Sequence, residues 1–286
     1  MSAAEEGQVT YASASHPGRV HELNEDSVGC DPERGVWLVA DGMGGHACGE
    51  VASKIACEQI LAQVAAGENL EVATAAAHQA IVSAANEIEH QNGMGSTSIA
   101  IHVNERHVET VWVGDSRAYL VRQGHIRPIS KDHSFMQMMI DRQQLTPEQA
   151  RTHPKRNVLT QVLGFGEPAP EKTRTPLMTN DVLVLCSDGL YDELEDAEIL
   201  SIIEQGETMQ MVADELVNAA CERGGKDNIS AVVVRYDGKS ADLLPKPKSQ
   251  PVAEPDNGVA WVPIIVGALA AVGVFLIILY FLGDTA

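Results

Sequence analysis

The sequence predicts an α+β fold in layers, with sheet in the middle and helices outside, on three observations. Short apolar runs such as Val36–Ala40 and Asp181–Cys186 are long enough for strands buried on both faces. Two long Ala-rich stretches joined by a short loop predict an antiparallel helix pair. Between these lie consecutive short strands separated by turn residues, a pattern of antiparallel sheet and separate helices.

In order, Thr10–Ser15 reads as a first strand and Ser27–Asp31 as a second, with a hairpin loop leading into Val36–Ala40. That third strand delivers Asp41, then Gly-x-Gly-Gly, a turn whose backbone can lie close to a ligand. A carboxylate there is either a turn residue or an oxygen ligand for a hard cation. Helices are expected from about Ala47 to Ala66 and from Leu70 to Gln91. Ser96–Val103, His107–Val113, Arg117–Arg122 and His125–Pro128 then read as an antiparallel meander. Ser134–Arg142 and Pro147–Thr152 are short helices in a polar insertion, and Leu163–Thr175 is loop-rich. Strand Asp181–Cys186, helices Asp196–Gln205 and Met209–Arg223, and strand Ile229–Arg235 complete a domain over residues 1–237.

Residues 238–258 contain four prolines and form a linker. From Val259 to Leu282 no residue is charged; about 21 apolar residues at ~1.5 Å each span roughly 30 Å of hydrocarbon. Trp261 and Tyr280 lie near its ends, as interfacial aromatics do. A single membrane-spanning helix is expected, followed by an exterior tail at 283–286. Lys239, Lys246 and Lys248 precede the span and only Asp284 follows, which places the large domain in the cytoplasm at an inner or plasma membrane. The first residues carry no basic and apolar signal segment.

A formal net charge of −20, from 20 Lys+Arg against 40 Asp+Glu, argues against nucleic acid as a partner. Five scattered cysteines with no C-x-x-C pair read as free thiols in a reducing compartment.

Asp41, Asp115, Asp188 and Asp227 each sit at the end of an apolar strand beside a small or turn-forming residue, and Glu25-Asp26 precedes the second strand. Acids gathered at one end of a sheet repel unless cations join them, and all-oxygen ligands suit Mg2+ or Mn2+ better than zinc. Ser187 and Ser116 lack a nearby His in sequence, and Cys186 lies in an apolar run, so no other nucleophile is as persuasive.

Asn24-Glu25-Asp26-Ser27, Asp41-Gly42-Met43-Gly44-Gly45-His46, Gly95-Ser96-Thr97, Val113-Gly114-Asp115-Ser116-Arg117, Lys131-Asp132-His133-Ser134, Ser187-Asp188-Gly189-Leu190 and Asp227-Asn228-Ile229-Ser230 resemble, in order, the motifs of metal-dependent serine/threonine phosphatases. This is the PP2C or PPM family, in its bacterial style, and the likeness covers about Val9 to Tyr236.

The resemblance implies a four-layer α-β-β-α sandwich and two Mn2+ or Mg2+ ions. It implies Asp41 as the bridging ligand and Gly42 as a carbonyl ligand. Asp188 and Asp227 would complete the other metal, Glu25 and Asp26 would hold metal-bound waters, and Asp115 with Asp188 can take a third ion. Catalysis, implied to rest on Asp41, Asp188, Asp227 and Asp26, would be direct attack of a metal-activated water on phosphoserine or phosphothreonine in proteins. Implied partners are phosphorylated proteins, among them Ser/Thr kinases and their targets, met by a monomeric catalytic domain.

Two departures bear on activity. The family's phosphate-gripping Arg is replaced by His21, with Arg19 two residues earlier; a single-point imidazole lacks the bidentate fork. The animal members' general-acid His is replaced by Met43, and His46 follows three residues on. The alternative reading is a catalytically weakened phospho-sensor or scaffold of the same fold. The insertion from Ser134 to Gly166, with Met136, Met138 and Met139, falls where bacterial relatives carry a flap.

Overall fold

The computed structural model describes residues 9–44, 48–87 and 93–238. Two wholly antiparallel sheets lie face to face. One contains β1 (Val9–His16), β7 (Arg117–Arg122), β8 (His125–Pro128), β10 (Asp181–Cys186) and β11 (Ile229–Tyr236), in the order β1-β11-β10-β7-β8. The other contains β2 (Asp26–Asp31), β3 (Val36–Met43), β5 (Ser98–Asn104), β6 (His107–Val113) and β9 (Glu171–Pro176), in the order β2-β3-β5-β6-β9, with β4 (Gly95–Ser96) added to the end of β3.

Alternation along the central strands explains the continuous apolar runs. Trp37 and Val39 point between the sheets, with Leu183, Leu185, Val232 and Val234 across from them. Val36, Leu38 and Ala40 point the other way, onto helices α1 (Cys48–Ala65) and α2 (Leu70–Glu87). Val184, Cys186 and Val233 likewise pack under α6 (Asp196–Gln205) and α7 (Met209–Arg223). Covering both faces of each sheet removes the polar alternation a half-exposed sheet would show. The short helices α3 (Phe135–Asp141), α4 (Pro147–Arg151) and α5 (Asp188–Tyr191) complete the described chain.

Four expectations change. The meander divides: β5 and β6 pair in one sheet while β7 crosses to the other and pairs with β10. The crossing is made at Gly114, whose φ of +103° is open to glycine and rarely to other residues. The stretch read as loop-rich contains β9, an edge strand whose sequence EKTRTP is mostly solvent-facing and so lacks an apolar signature. Asp41-Gly42 is not a turn; β3 runs on to Met43 because Asp41 faces Asp26 and Gly42 faces Ser96 across the ladders. Asp188 opens α5, where no helix was expected. Among the described residues no helix is long and apolar enough to cross a membrane. The linker beyond Gly238 and the expected span Val259–Leu282 lie outside them, as do His46 and the last residues of the second expected helix.

Candidate metal centre

The acids converge because strand order and direction bring their ends together. β3 ends at Asp41–Met43 opposite Asp26, the first residue of β2. β6 ends just before Gly114-Asp115, β10 just before Ser187-Asp188, and β11 begins just after Asp227-Asn228. Across the two sheets, Ser187 Oγ donates to Asp26 Oδ2 at 2.7 Å, and the Thr97 and Ser116 hydroxyls meet at 2.7 Å.

Asp41 is fixed through its backbone. Its N–H donates to Thr97 Oγ1 at 2.9 Å, and its carbonyl accepts from Thr97 N–H at 2.8 Å and Ser96 Oγ at 3.1 Å. Burial, and then the charges of Asp26, Asp188, Asp115 and Asp227, hold its carboxyl well above the usual range. Asp188 is raised well above that range by burial and by Asp115 and Asp227. Burial pushes Asp26 up to about 6 against the pull of hydrogen bonds from Ser187 and Ser230. Asp115 is pushed up to about 7, chiefly by burial, with Asp132 adding to the rise and Arg117 opposing it. Glu25 is raised by burial, offset in part by His21 and by the Gly49 amide.

Gly42 donates its N–H to the Glu25 carbonyl at 3.1 Å. A Cβ at Gly42 would stand 2.0 Å from the Gly49 carbonyl oxygen and 2.6 Å from that of Glu25, so only glycine fits between β2 and the start of α1.

The two residues expected to grip phosphate have different supports. His21 Nε2 lies 3.5 Å from Asp227 Oδ1, with both side chains about half exposed, so His21 faces the cluster. The Arg19 backbone is held beside Gly225, to whose carbonyl it donates its N–H at 2.7 Å, and its charge opposes the rise that burial gives the Cys221 thiol. Met43 is 41% exposed at the end of β3.

Several supporting residues were not assigned roles from sequence. Ser187, set aside as a nucleophile, is a strut: besides holding Asp26 it accepts the Ser230 N–H at 3.0 Å. Arg117 makes a two-pronged bond to Asp132 at 2.9 and 2.7 Å and lies 3.6 Å over the Tyr191 ring, while Tyr191 Oη donates to the Asp115 carbonyl at 3.0 Å. The motifs that contain Asp115-Ser116-Arg117 and Lys131-Asp132 were the available signal. A cleft of about 920 Å³ has Asp115, Asp188 and Asp227 in its lining, together with Met136 and Arg151 of the insertion and Tyr191.

This donor set fits hard divalent cations. Asp26 Oδ1 and Asp188 Oδ1 are buried oxygens without a hydrogen-bond partner among the described residues. The nearby guanidinium of Arg117 is committed to Asp132. Raised carboxylates with unpaired buried oxygens call for positive charge, and oxygen-only ligands select Mg2+, Mn2+ or Ca2+. Among the described residues no three acid, histidine or cysteine side chains close into a complete cage.

Comparison with known proteins points the same way. The chain is 37% identical over 245 residues to the serine/threonine protein phosphatase PstP of Mycobacterium tuberculosis. That alignment covers 82% of this chain and 47% of PstP, so the chain spans about half the length of that relative. The serine/threonine phosphatase stp of Listeria innocua is 33% identical over 231 residues, covering 76% of this chain and 92% of stp. The crystal structure of the PstP catalytic domain in complex with two manganese ions superposes with a TM-score of 0.72 at 35% identity, over 79% of this chain and 97% of that one. A family profile described as Protein phosphatase 2C matches residues 15–233. With those residues spanning both sheets and every acid of the cluster, the chain belongs to the protein phosphatase 2C family.

Proposed function

We propose that the chain is a metal-dependent protein phosphatase acting on phosphoserine and phosphothreonine. The observation that carries this reading is the gathering of Asp26, Asp41, Asp115 and Asp188 into one raised cluster with two buried, unpaired oxygens. The relatives' names, and the two manganese ions in the PstP catalytic domain, support it.

Asp41, Gly42, Asp188, Asp227 and Glu25 would hold two Mn2+ or Mg2+ ions, and Asp115 with Asp188 a third. When bound, such cations neutralise the carboxylates and supply an acidified water for phosphomonoester hydrolysis. The chain's own part is placement. The ends of β3 and β10 fix Asp41 and Asp188, Ser187 orients Asp26, and His21 offers one donor toward a phosphate oxygen beside Asp227. The cleft of about 920 Å³ beside the acids would take the side chains flanking the phosphorylated residue.

The apolar stretch 259–282 would anchor this domain to a membrane through the 238–258 linker, with the domain on the cytoplasmic side. Such a tether raises local concentration near membrane partners, Ser/Thr kinases and their targets among them. The test of the activity is hydrolysis of p-nitrophenyl phosphate and of a phosphothreonine peptide by wild type and Asp41→Asn, with Mn2+ or with EDTA. Wild type with Mn2+ is expected to exceed both controls by more than about a hundredfold; equal rates would overturn the proposal.

A further inference from the structure

His21 and Glu25 lie on residues 17–25, an irregular segment between β1 and β2. Little burial holds it in place: Val20 is 68% exposed and Leu23 50%. Segments with so few apolar contacts open easily unless polar ties restrain them. The Arg19 N–H bond to the Gly225 carbonyl, the Asn24 Nδ2 bond to Ser15 Oγ and the Gly42 N–H bond to the Glu25 carbonyl are such ties, and one buried amide supplies three more. Asn228, 6% exposed at the foot of β11, accepts the Glu25 N–H on Oδ1 at 2.7 Å. Its Nδ2 donates to the carbonyls of Pro17 at 2.9 Å and Leu23 at 3.0 Å. Its backbone N–H donates to Asp227 Oδ1 at 2.8 Å, the same oxygen that His21 approaches at 3.5 Å. The start of the segment and its last three residues are therefore pinned to the residue that also fixes the facing acid.

The chemistry selects asparagine. The site needs one acceptor and two donors on a short, planar group. Aspartate keeps the acceptor but turns a carboxylate oxygen toward two carbonyls. Serine is shorter and has a single donor, and glutamine is one methylene too long.

We propose that Asn228 is the positioning residue that sets His21 and Glu25 against Asp227, acting through the 17–25 segment without touching substrate. Its kinetic consequence rests on the phosphatase reading above; its structural consequence does not. Hydrogen exchange on the full chain therefore comes first. In Asn228→Ala, amides of residues 18–25 should exchange at least about tenfold faster, the effect of losing three net hydrogen bonds, while those of β10 stay protected. Asn228→Asp, nearly the same size, loses only the two donors, so it should speed exchange over residues 18–24 while the Glu25 amide keeps its acceptor, and it keeps the test available if the alanine variant folds poorly. Unchanged exchange in 18–25, or equal loosening of β10, would overturn the proposal.

The kinetic arm uses p-nitrophenyl phosphate with Mn2+. His21→Ala and Asn228→Ala should each raise KM, by up to about tenfold, and the double variant should be no worse than the weaker single. A residue acting only through general stability would instead give additive losses in the double variant, and that result would overturn the positioning role. If the wild type hydrolyses nothing, the phosphatase reading fails by itself and the exchange result still decides the role of Asn228.

Discussion

Asp41 and His21 face the same cluster from opposite kinds of support. Asp41 is carried by a strand paired on both sides, its backbone bonded to Thr97 and Ser96 and the residues before it wholly buried. His21 sits half exposed on an irregular segment, and its side-chain contact, with Asp227, is 3.5 Å long. The acids are thus held in place by paired strands, whereas the group opposite them rests on an irregular segment tied by a few polar bonds. A site built this way gathers like charges on paired strands and leaves its other side dependent on a few polar ties.

Asp41→Asn should break the rigid side, with the largest effect. Activity should fall by more than about a hundredfold, beyond the usual loss of a merely supporting partner. The metal-free protein should melt no lower than wild type, since the change removes one of several carboxylates that burial and like charges push upward. Assays with Mn2+ and melting curves in EDTA check both halves; a marked loss of metal-free stability would show that Asp41 supports the fold.

Ser187→Ala tests whether the supporting hydroxyls belong to that rigid side. The change removes the donor to Asp26 and strands the Ser230 N–H, at a cost of about 1–3 kcal/mol. A fall in activity of about 10- to 100-fold should accompany it. Denaturant unfolding paired with Mn2+ titration measures the two together, and undiminished metal affinity would remove Ser187 from the site.

The same contrast governs what the sequence disclosed. Strands β3, β10 and β11 were legible because burial on both faces makes them continuous apolar runs, and the acids were legible because they interrupt those runs at one end. β9 was not, because an edge strand facing solvent carries no such run. The division of the meander was not, because one glycine with positive φ decides which sheet β7 joins. Ser187 and Asn228 were quoted within motifs but their work was hidden, since their partners lie 161 and 203 residues away in the chain. His21 and Arg19 were both candidates to meet phosphate; the fold sets His21 beside Asp227 and bonds the Arg19 backbone to Gly225.

His21→Arg sharpens the irregular side, with a smaller effect. A guanidinium can offer two parallel donors where imidazole offers one, so KM for a small phosphomonoester should fall several-fold with kcat little changed. Steady-state kinetics on the two proteins decide it, and an unchanged KM would mean that this segment does not grip phosphate.

The smallest effect concerns imidazoles on the rigid side. His133 Nδ1 accepts the Gly114 N–H at 3.2 Å, and His78 Nδ1 accepts the Gly164 N–H at 3.0 Å, so each must stay neutral to keep its bond. Burial holds both below the ordinary value of 6.5; for His133, Glu171 at 3.3 Å from Nε2 offsets this only in part. A lowered folded-state pKa means the unfolded chain takes up its proton first. The stability these residues preserve is complete above pH 6.5 and drains away as pH falls through the lower folded values. The raised acids of the cluster titrate in the opposite sense when metal-free, so the total slope is a sum and only a difference between proteins isolates the histidines. His133→Asn and His78→Asn keep an acceptor near Nδ1 without the titration. Between pH 7 and 5 the double variant should lose less in Tm than wild type, by no more than about 2–4 °C, the shift that 1 kcal/mol produces in a domain of this size. Parallel slopes for the two proteins would mean that neither imidazole is held neutral by the fold.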